Sequence, residues 1–273
     1  MTNADSHFAI GKTHKVCQDY ALAGNIADRA YALVSDGCSS SEDSDFGARL
    51  LARAAVRNLR SFGNSFDPER AAWTADGWRE AIRLSPSALD ATLLMAFELT
   101  DRKKVRVVVV GDGVVAARYR DTGKYDYWAI RYPSGAPGYL TYLLDQERQQ
   151  VFLAQTQGKR TIETVMEGKS SLQEEDWSLR GPAWQRHFET DQYDLIAVMS
   201  DGAESFQRFQ GTSLEAIPLS EVLDQVMSVK GCTGEFMHRR INRFLTRFCL
   251  DNGWQHYDDF SVAALALEPR DNE

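Results

Sequence analysis

The chain has 273 residues, of which 43% are apolar and 26% charged. That is long enough for a large core and close to the average for a folded globular protein, which excludes disorder, collagen-like repeats and coiled coil for most of the chain. Lys and Arg number 31 against 39 Asp and Glu, a net charge of −8. This gives no electrostatic reason to bind nucleic acid or an anionic membrane non-specifically. No apolar run approaches the roughly 18 residues that span a bilayer. The first residues, MTNADSHFAIGKTH, show neither a basic segment nor an apolar one, so no secretory signal is expected. Cys17, Cys38, Cys232 and Cys249 form no CxxC pair and no zinc spacing. Reduced thiols and a cytoplasmic location are the simplest expectation.

In chain order, residues 7–10, 20–24 and 30–35 read as short strands. Phe46, Leu50, Leu51, Ala54, Ala55, Leu59 and Phe62 then recur at helical spacing, with Arg on the other face. Pro68 suits the first turn of a second helix reaching about Leu84, with Trp73, Trp78 and Ile82 as buried candidates. Four strands follow, ATLLMAFEL, VRVVVVG, VVAARYR and YDYWAIR, with DTGK as a turn between the last two. Residues 133–190 have weak periodicity and many Gly, Gln and charged residues, and are expected to form an irregular, mobile flap. DLIAVMS lacks polar alternation and reads as a central strand. Helices at Leu219–Val229 and about Gly234–Leu250, a strand DFSVAALALE and a frayed tail, 268–273, complete the chain. Blocks of strands and blocks of helices argue for helices layered on antiparallel sheets rather than a βαβ array. No repeat or composition break divides the sequence, so one domain over residues 1–273 is expected.

Asp-Gly occurs four times, where the composition gives about one or two by chance. The simplest role is a turn, which suits Asp76-Gly77. The other three, Asp36-Gly37, Asp112-Gly113 and Asp201-Gly202, each end a strong apolar run and can bring carboxylates to one sheet edge. The pair Asp258-Asp259 opens the last strand, and Asp19 lies in CQDYALAG. Several Asp with little nearby His or Cys form a hard oxygen donor set that suits Mg²⁺ or Mn²⁺ over zinc. Without cations, clustered carboxylates repel and raise one another's pKa.

These segments resemble the signature blocks of the metal-dependent serine/threonine protein phosphatases, type 2C, in a compact bacterial form. GKTHKVCQDYALAG, YALVSDGCSSSEDSDFGARLLARAA, VVVVGDGVVAAR, LIAVMSDGAES and DDFSVAAL occur in the family's order over residues 7–267. VVVVGDGVVAAR matches what the family uses as a hairpin. The resemblance implies an α+β fold, a four-layer α-β-β-α sandwich with two central antiparallel sheets. It implies hydrolysis of phosphoserine and phosphothreonine in proteins through a water bridging two Mn²⁺ or Mg²⁺ ions, with a possible third, weaker ion. It carries over Asp36 as bridging ligand, the Gly37 carbonyl, Asp201 and Asp259 as ligands, Asp112 for the third ion, and Asp19 as an orienting carboxylate. Three features depart from the pattern: the loop after the first Asp-Gly reads CSSSEDSD rather than Gly-rich, so its acidic residues would oppose a phosphorylated substrate unless they face away, and two single positions differ. Gln18 stands where many members have a Glu ligand, and His14 where many have a phosphate-binding Arg. The expected partners are a phosphorylated protein substrate and a cognate protein kinase, with no nucleic acid and no membrane. The alternatives are a catalytically weak member serving as a phosphoprotein-binding regulatory module, and a small-molecule phosphatase.

Overall fold

A computed structural model describes residues 2–101, 103–177, 181–210 and 213–268; the expected frayed tail therefore lies almost wholly outside the described residues. The strands are β1 (Asn3–Ala9), β2 (Asp19–Ile26), β3 (Arg29–Asp36), β4 (Leu93–Glu98), β5 (Lys104–Val110), β6 (Gly113–Tyr119), β7 (Tyr125–Arg131), β8 (Lys159–Met166), β9 (Lys169–Asp176), β10 (Ala183–Glu189), β11 (Tyr193–Met199), β12 (Phe206–Gln210), β13 (Ser213–Ala216), β14 (Trp254–His256) and β15 (Phe260–Ala266). The helices are α1 (Ser44–Phe62), α2 (Pro68–Ala81), α3 (Gln146–Thr156), α4 (Leu219–Val226) and α5 (Phe236–Arg243). A π-helical turn, Phe244–Phe248, carries α5 into α6 (Cys249–Asn252).

The strands form a seven-stranded sheet ordered β1-β15-β11-β6-β7-β8-β9 and a five-stranded sheet ordered β10-β5-β4-β3-β2. A small third sheet, β13-β12-β14, stands apart. Every pairing is antiparallel. The two large sheets face each other across Leu94, Val107, Trp128, Ile196, Val198 and Leu265. On the outer side of the five-stranded sheet, α1 and α2 bury Leu51, Ala55, Leu59 and Ala72 against Leu33, Met95 and Phe97. On the outer side of the other sheet, Val222, Phe236, Ile241 and Phe244 pack on Met199, Ala197 and Val262. The fold is thus the α+β, four-layer α-β-β-α sandwich. Strands such as β4 and β11 read as unbroken apolar runs because both faces are covered.

Local signals explain the helix starts. Asp67 accepts from the Glu69 N–H and Pro68 occupies the first turn of α2. Asp145 does the same for α3 through the N–H groups of Glu147 and Arg148.

Four sequence expectations change. Residues 133–190 are not an irregular flap: among the described residues they hold α3, β8, β9 and β10. Leu140 inserts into the α1–α2 core, and Tyr132, Phe152 and Trp177 make a small core of their own. Arg148 clamps both oxygens of Asp90 at 2.8 and 2.7 Å, tying α3 to the loop before β4. The segment between β5 and β6 is no hairpin. Those strands belong to different sheets, and Gly111-Asp112-Gly113 is the crossover. Gly113 adopts φ +132°, with the Met199 carbonyl 2.6 Å from where a Cβ would stand, so a side chain there is excluded. Asp76-Gly77 is no turn either, since it lies inside α2, where Asp76 accepts from Arg79 at 2.7 Å. Trp73 and Ile82 are both 54% exposed rather than buried. The second helix stops at Ala81, before Ile82 can rotate inward.

α1 crosses the turn at Pro86–Leu89 where Gly47 leaves room for it. A Cβ on Gly47 would lie 1.5 Å from the Ala88 carbonyl oxygen. Gly47→Ala should therefore destabilise by about 1–3 kcal/mol despite the better helix propensity of Ala. Urea denaturation should show a lower midpoint at unchanged slope.

Candidate metal centre

Five strand ends meet at one end of the sandwich. Asp36 closes β3 and Asp19 opens β2 directly opposite it in register. Asp112 sits in the β5–β6 crossover, Asp201 follows β11, and Asp258-Asp259 precede β15. Both large sheets therefore contribute. The predicted edge is the shared end of two sheets, with the carboxylates fixed by strands rather than by loops.

Asp19 is fully buried. Its Oδ2 accepts from the Ser200 hydroxyl at 2.7 Å, and Ser200 Oγ accepts from the Ser261 N–H at 3.0 Å. Its Oδ1 is buried without a donor, and the Asp36 carboxyl approaches the group. Asp36 is held through its backbone N–H, which donates to Thr92 Oγ1 at 3.0 Å. Burial raises Asp36 well above the usual carboxylate range, and the charges of Asp19, Asp201 and Asp112 add to it. Burial also raises Asp19 to about 7, against hydrogen bonds from Asp36, Ser261 and Ser200. Asp201 rises to about 6 through burial and the charge of Asp258. Asp112 rises well above its ordinary value through burial and then the charges of Asp201, Glu204 and Asp258. Asp36 is the hub, since both Asp19 and Asp201 direct a carboxyl toward it. Two carboxyls can share a hydrogen bond only if one holds a proton.

Asp259 lies in a different environment. Its Oδ1 accepts from the Gly11 N–H at 2.7 Å and its Oδ2 from the Gln18 N–H at 2.6 Å. His14 Nδ1 also reaches Oδ2, at 3.0 Å. Both oxygens are therefore engaged in shaping the 11–18 loop. Its neighbour Asp258 is half-exposed, and its charge acts on Asp201 and Asp112. Both His14 nitrogens meet carboxylates, Nε2 reaching Asp258 at 3.3 Å. Burial works against the His14 charge, but the hydrogen bond and charge of Asp259 outweigh it and raise its pKa. The Gln18 amide nitrogen donates to Ser44 Oγ at 2.7 Å and to the Cys38 carbonyl at 3.3 Å. Gly37 closes onto the same place, its N–H donating to the Gln18 carbonyl at 3.2 Å.

Sequence reading missed the supports: Ser200 and Thr92, which hold the carboxylates, and Glu204, held by Arg131 at 2.8 and 2.9 Å. Tyr139, which hydrogen-bonds Cys38 and feels the charges of Asp112 and Asp36, was missed too. No motif marks Thr92 or Tyr139. Only Ser200 and Glu204, which flank Asp201-Gly202, had a signal in the sequence.

Among the described residues, no group of three or more His, Cys, Asp or Glu side chains is arranged to hold a metal ion as it stands. The donor chemistry nonetheless fits a hard divalent cation. The Asp19, Asp36, Asp112 and Asp201 carboxyls are raised by burial and by one another, and Asp19 Oδ1 is a buried acceptor with nothing to accept from. A cation would draw these groups inward and take the place of the shared proton.

The fold and this carboxylate end define a phosphatase class, and the comparisons agree. The family model described as Protein phosphatase 2C matches residues 9–246. The chain belongs to the protein phosphatase 2C family. The fold resembles a solved bacterial serine phosphatase at 11% identity and TM-score 0.57, covering 99% of this chain and 100% of that one. It also resembles the phosphatase domain and regulatory fragment of the cell fate determinant SpoIIE from Bacillus subtilis, at 13% identity and TM-score 0.50, covering 99% of this chain and 65% of that one. The RsbU and RsbW domains of a Mycobacterium tuberculosis protein align at 11% identity and TM-score 0.52, covering 99% and 62% respectively. Comparison with curated proteins finds no match. No helix among the described residues is long and apolar enough to cross a membrane.

The raised carboxyls fix the pH behaviour of the cation-free protein. A group whose folded pKa lies above its unfolded value stabilises the fold below the unfolded pKa, and that stability is lost as pH rises through the folded pKa. With Asp201 at about 6 and Asp19 at about 7 against 3.8, unfolding free energy in EDTA should fall as pH is raised from about 4 to about 7. Chemical denaturation across that range checks this, and Asp36→Asn should flatten the slope.

Proposed function

We propose that this chain is a metal-dependent phosphatase that hydrolyses phosphoserine and phosphothreonine in proteins, built as one domain and partnered by a protein kinase acting on the same substrate. The observation that carries the reading is the convergence of the half-buried Asp36, Asp112 and Asp201 on the fully buried Asp19, whose Oδ1 is left without a donor. Asp36, the Gly37 carbonyl and Asp201 would hold two Mn²⁺ or Mg²⁺ ions, with Asp112 available to a third. Bound there, the cations supply a nucleophile at neutral pH and neutralise charge developing on the phosphoryl group.

The chain's own residues do the rest. Ser200 holds Asp19 in one orientation, leaving Oδ1 as the acceptor for a proton at the reaction centre. Thr92 fixes the Asp36 backbone. Asp258, with one oxygen outside the His14 and backbone contacts, is the better ligand candidate of the terminal pair. Asp259 positions the 11–18 loop. His14 then acts by holding Asp258 and Asp259 together more than by meeting phosphate. Gln18, tied to Ser44 and Cys38, braces the loop after Gly37.

The engagement of His14 and Gln18 favours one second reading, a catalytically weak, phosphoprotein-binding regulatory member of the family. Hydrolysis of p-nitrophenyl phosphate separates the two. Turnover should vanish in EDTA and return with Mn²⁺, and less fully with Mg²⁺, which demands stricter geometry. Undiminished activity in EDTA would overturn the metal-dependent reading. Asp36→Asn should lower kcat by about two to three orders of magnitude while the protein still folds.

The terminal pair separates by mutation. Asp258→Asn should raise the Mn²⁺ concentration for half-maximal activity by about tenfold, through loss of one charge near the cation. Asp259→Asn should lower stability by about 1–3 kcal/mol, through loss of a charged acceptor for two backbone N–H groups. Metal titration and thermal melts of both variants check the division.

A further inference from the structure

α1 is nineteen residues long and carries Arg49, Arg53, Arg57 and Arg60. At about 100° per residue these four fall within an arc of about 80°, with Phe46 inside it. The opposite arc, with Ala48, Leu51, Ala55 and Leu59, is buried against the five-stranded sheet. Arg53, Arg57 and Arg60 are exposed, and Phe46 is 55% exposed.

The only carboxylate on the helix is Asp45, which pairs with Arg49 at 3.1 Å. Among the described residues, Arg53, Arg57 and Arg60 meet no carboxylate at ion-pair distance. Arg53 Nη2 donates to the Tyr20 hydroxyl at 3.1 Å, and Arg57 lies 5.8 Å over the Trp78 ring. On a chain of net charge −8, a line of cations without counter-charges is a local reversal of sign.

The line is continuous with the carboxylate centre. Tyr20, which Arg53 touches and whose ring Arg49 covers at 5.5 Å, directly follows Asp19. α1 begins at Ser44, whose hydroxyl takes the Gln18 amide and whose backbone packs on Gly37. From Arg49 to Arg60 the helix rises about 16 Å, the length of about five extended residues.

We propose that this face of α1 docks an acidic segment of the phosphoprotein substrate, with carboxylates on the arginines and an apolar side chain on Phe46, beside the phosphorylated residue. The direction of the segment toward the centre rests on the phosphatase reading; the docking itself does not. Guanidinium forks match discrete carboxylates bidentately. A single line of four arginines about 16 Å long, on a chain of net charge −8, suits a short acidic peptide better than an extended polyanion.

The test is fluorescence anisotropy of a labelled ten-residue peptide rich in Glu, with two Leu and no phosphate, in EDTA at low salt. The double variant Arg53→Glu/Arg57→Glu should bind at least about tenfold more weakly than the native chain, and Arg53→Gln/Arg57→Gln should fall between them. The Gln pair carries the comparison if the Glu pair fails to fold. A Lys-rich peptide of the same length should bind neither the native chain nor the Gln pair.

With Mn²⁺, the variants should raise KM for a phosphopeptide flanked by Glu while leaving kcat, and turnover of p-nitrophenyl phosphate, within about twofold. Equal peptide binding by native chain and variants would overturn the proposal, as would tighter binding of a single-stranded oligonucleotide through the same arginines. Absence of p-nitrophenyl phosphate turnover would sink the phosphatase reading instead, with the binding arm still deciding the docking.

Discussion

Everything at the functional end depends on the mutual repulsion of carboxylates, buried or half-buried, that the two sheets bring to one end. Asp19 and Asp36 are opposite one another in a ladder, Asp112 is locked in a crossover, and Asp201 follows a central strand. Their backbones are held at the shared sheet end, so the carboxylates can separate only as far as side-chain rotation allows. The remaining ways to lower the energy are to keep protons or to accept cations. The rest of the architecture reads as the support for that constraint: two sheets whose ends coincide, helices that seal their outer faces, and hydroxyls from Ser200 and Thr92 that hold the strand ends in place.

The layers and the centre are therefore one design problem. A single sheet can present carboxylates along an edge, but spreads them at strand spacing. Two sheets face to face bring Asp36 and Asp19 from one side toward Asp112 and Asp201 from the other. The Gly-Asp-Gly crossover is one of the places where the chain changes sheet, and it carries the Asp112 carboxylate to the end that the two sheets share.

What the sequence made legible follows from where the signals were redundant. The α1 stripe and the unbroken apolar runs of β4 and β11 each have one dominant reading, and the helices and layers could be placed from them; Asp36, Asp112 and Asp201 stood out because each ends such a run, and Asp19 only through the family resemblance of its segment. Residues 133–190 misled because their strands are one-sided or edge strands. β9 is exposed over most of its length, and the β8–β9 connection uses Glu167 at φ +50°, not a familiar Asn-Gly turn. Asp76-Gly77 shows that a dipeptide has no fixed meaning inside a helix that packs well around it. Choosing between Asp258 and Asp259 was beyond any sequence pattern, because the choice turns on which carboxylate the Gly11 and Gln18 amides occupy.

The last strand of the larger sheet has a consequence for how copies of this protein behave when crowded. β9 pairs on one side with β8 and ends the ordered row. Among the described residues no strand lies along its outer side. The strand reads KSSLQEED: an unbranched, polar segment that finishes in three consecutive acids. Glu174 and Glu175 already pair with Lys159 and Arg160, so a second copy approaching edge to edge would find few charges left to satisfy and little apolar surface to hide, with Leu172 as the one large apolar side chain. An edge that disfavours self-pairing is in this way written into the strand that the core needs least.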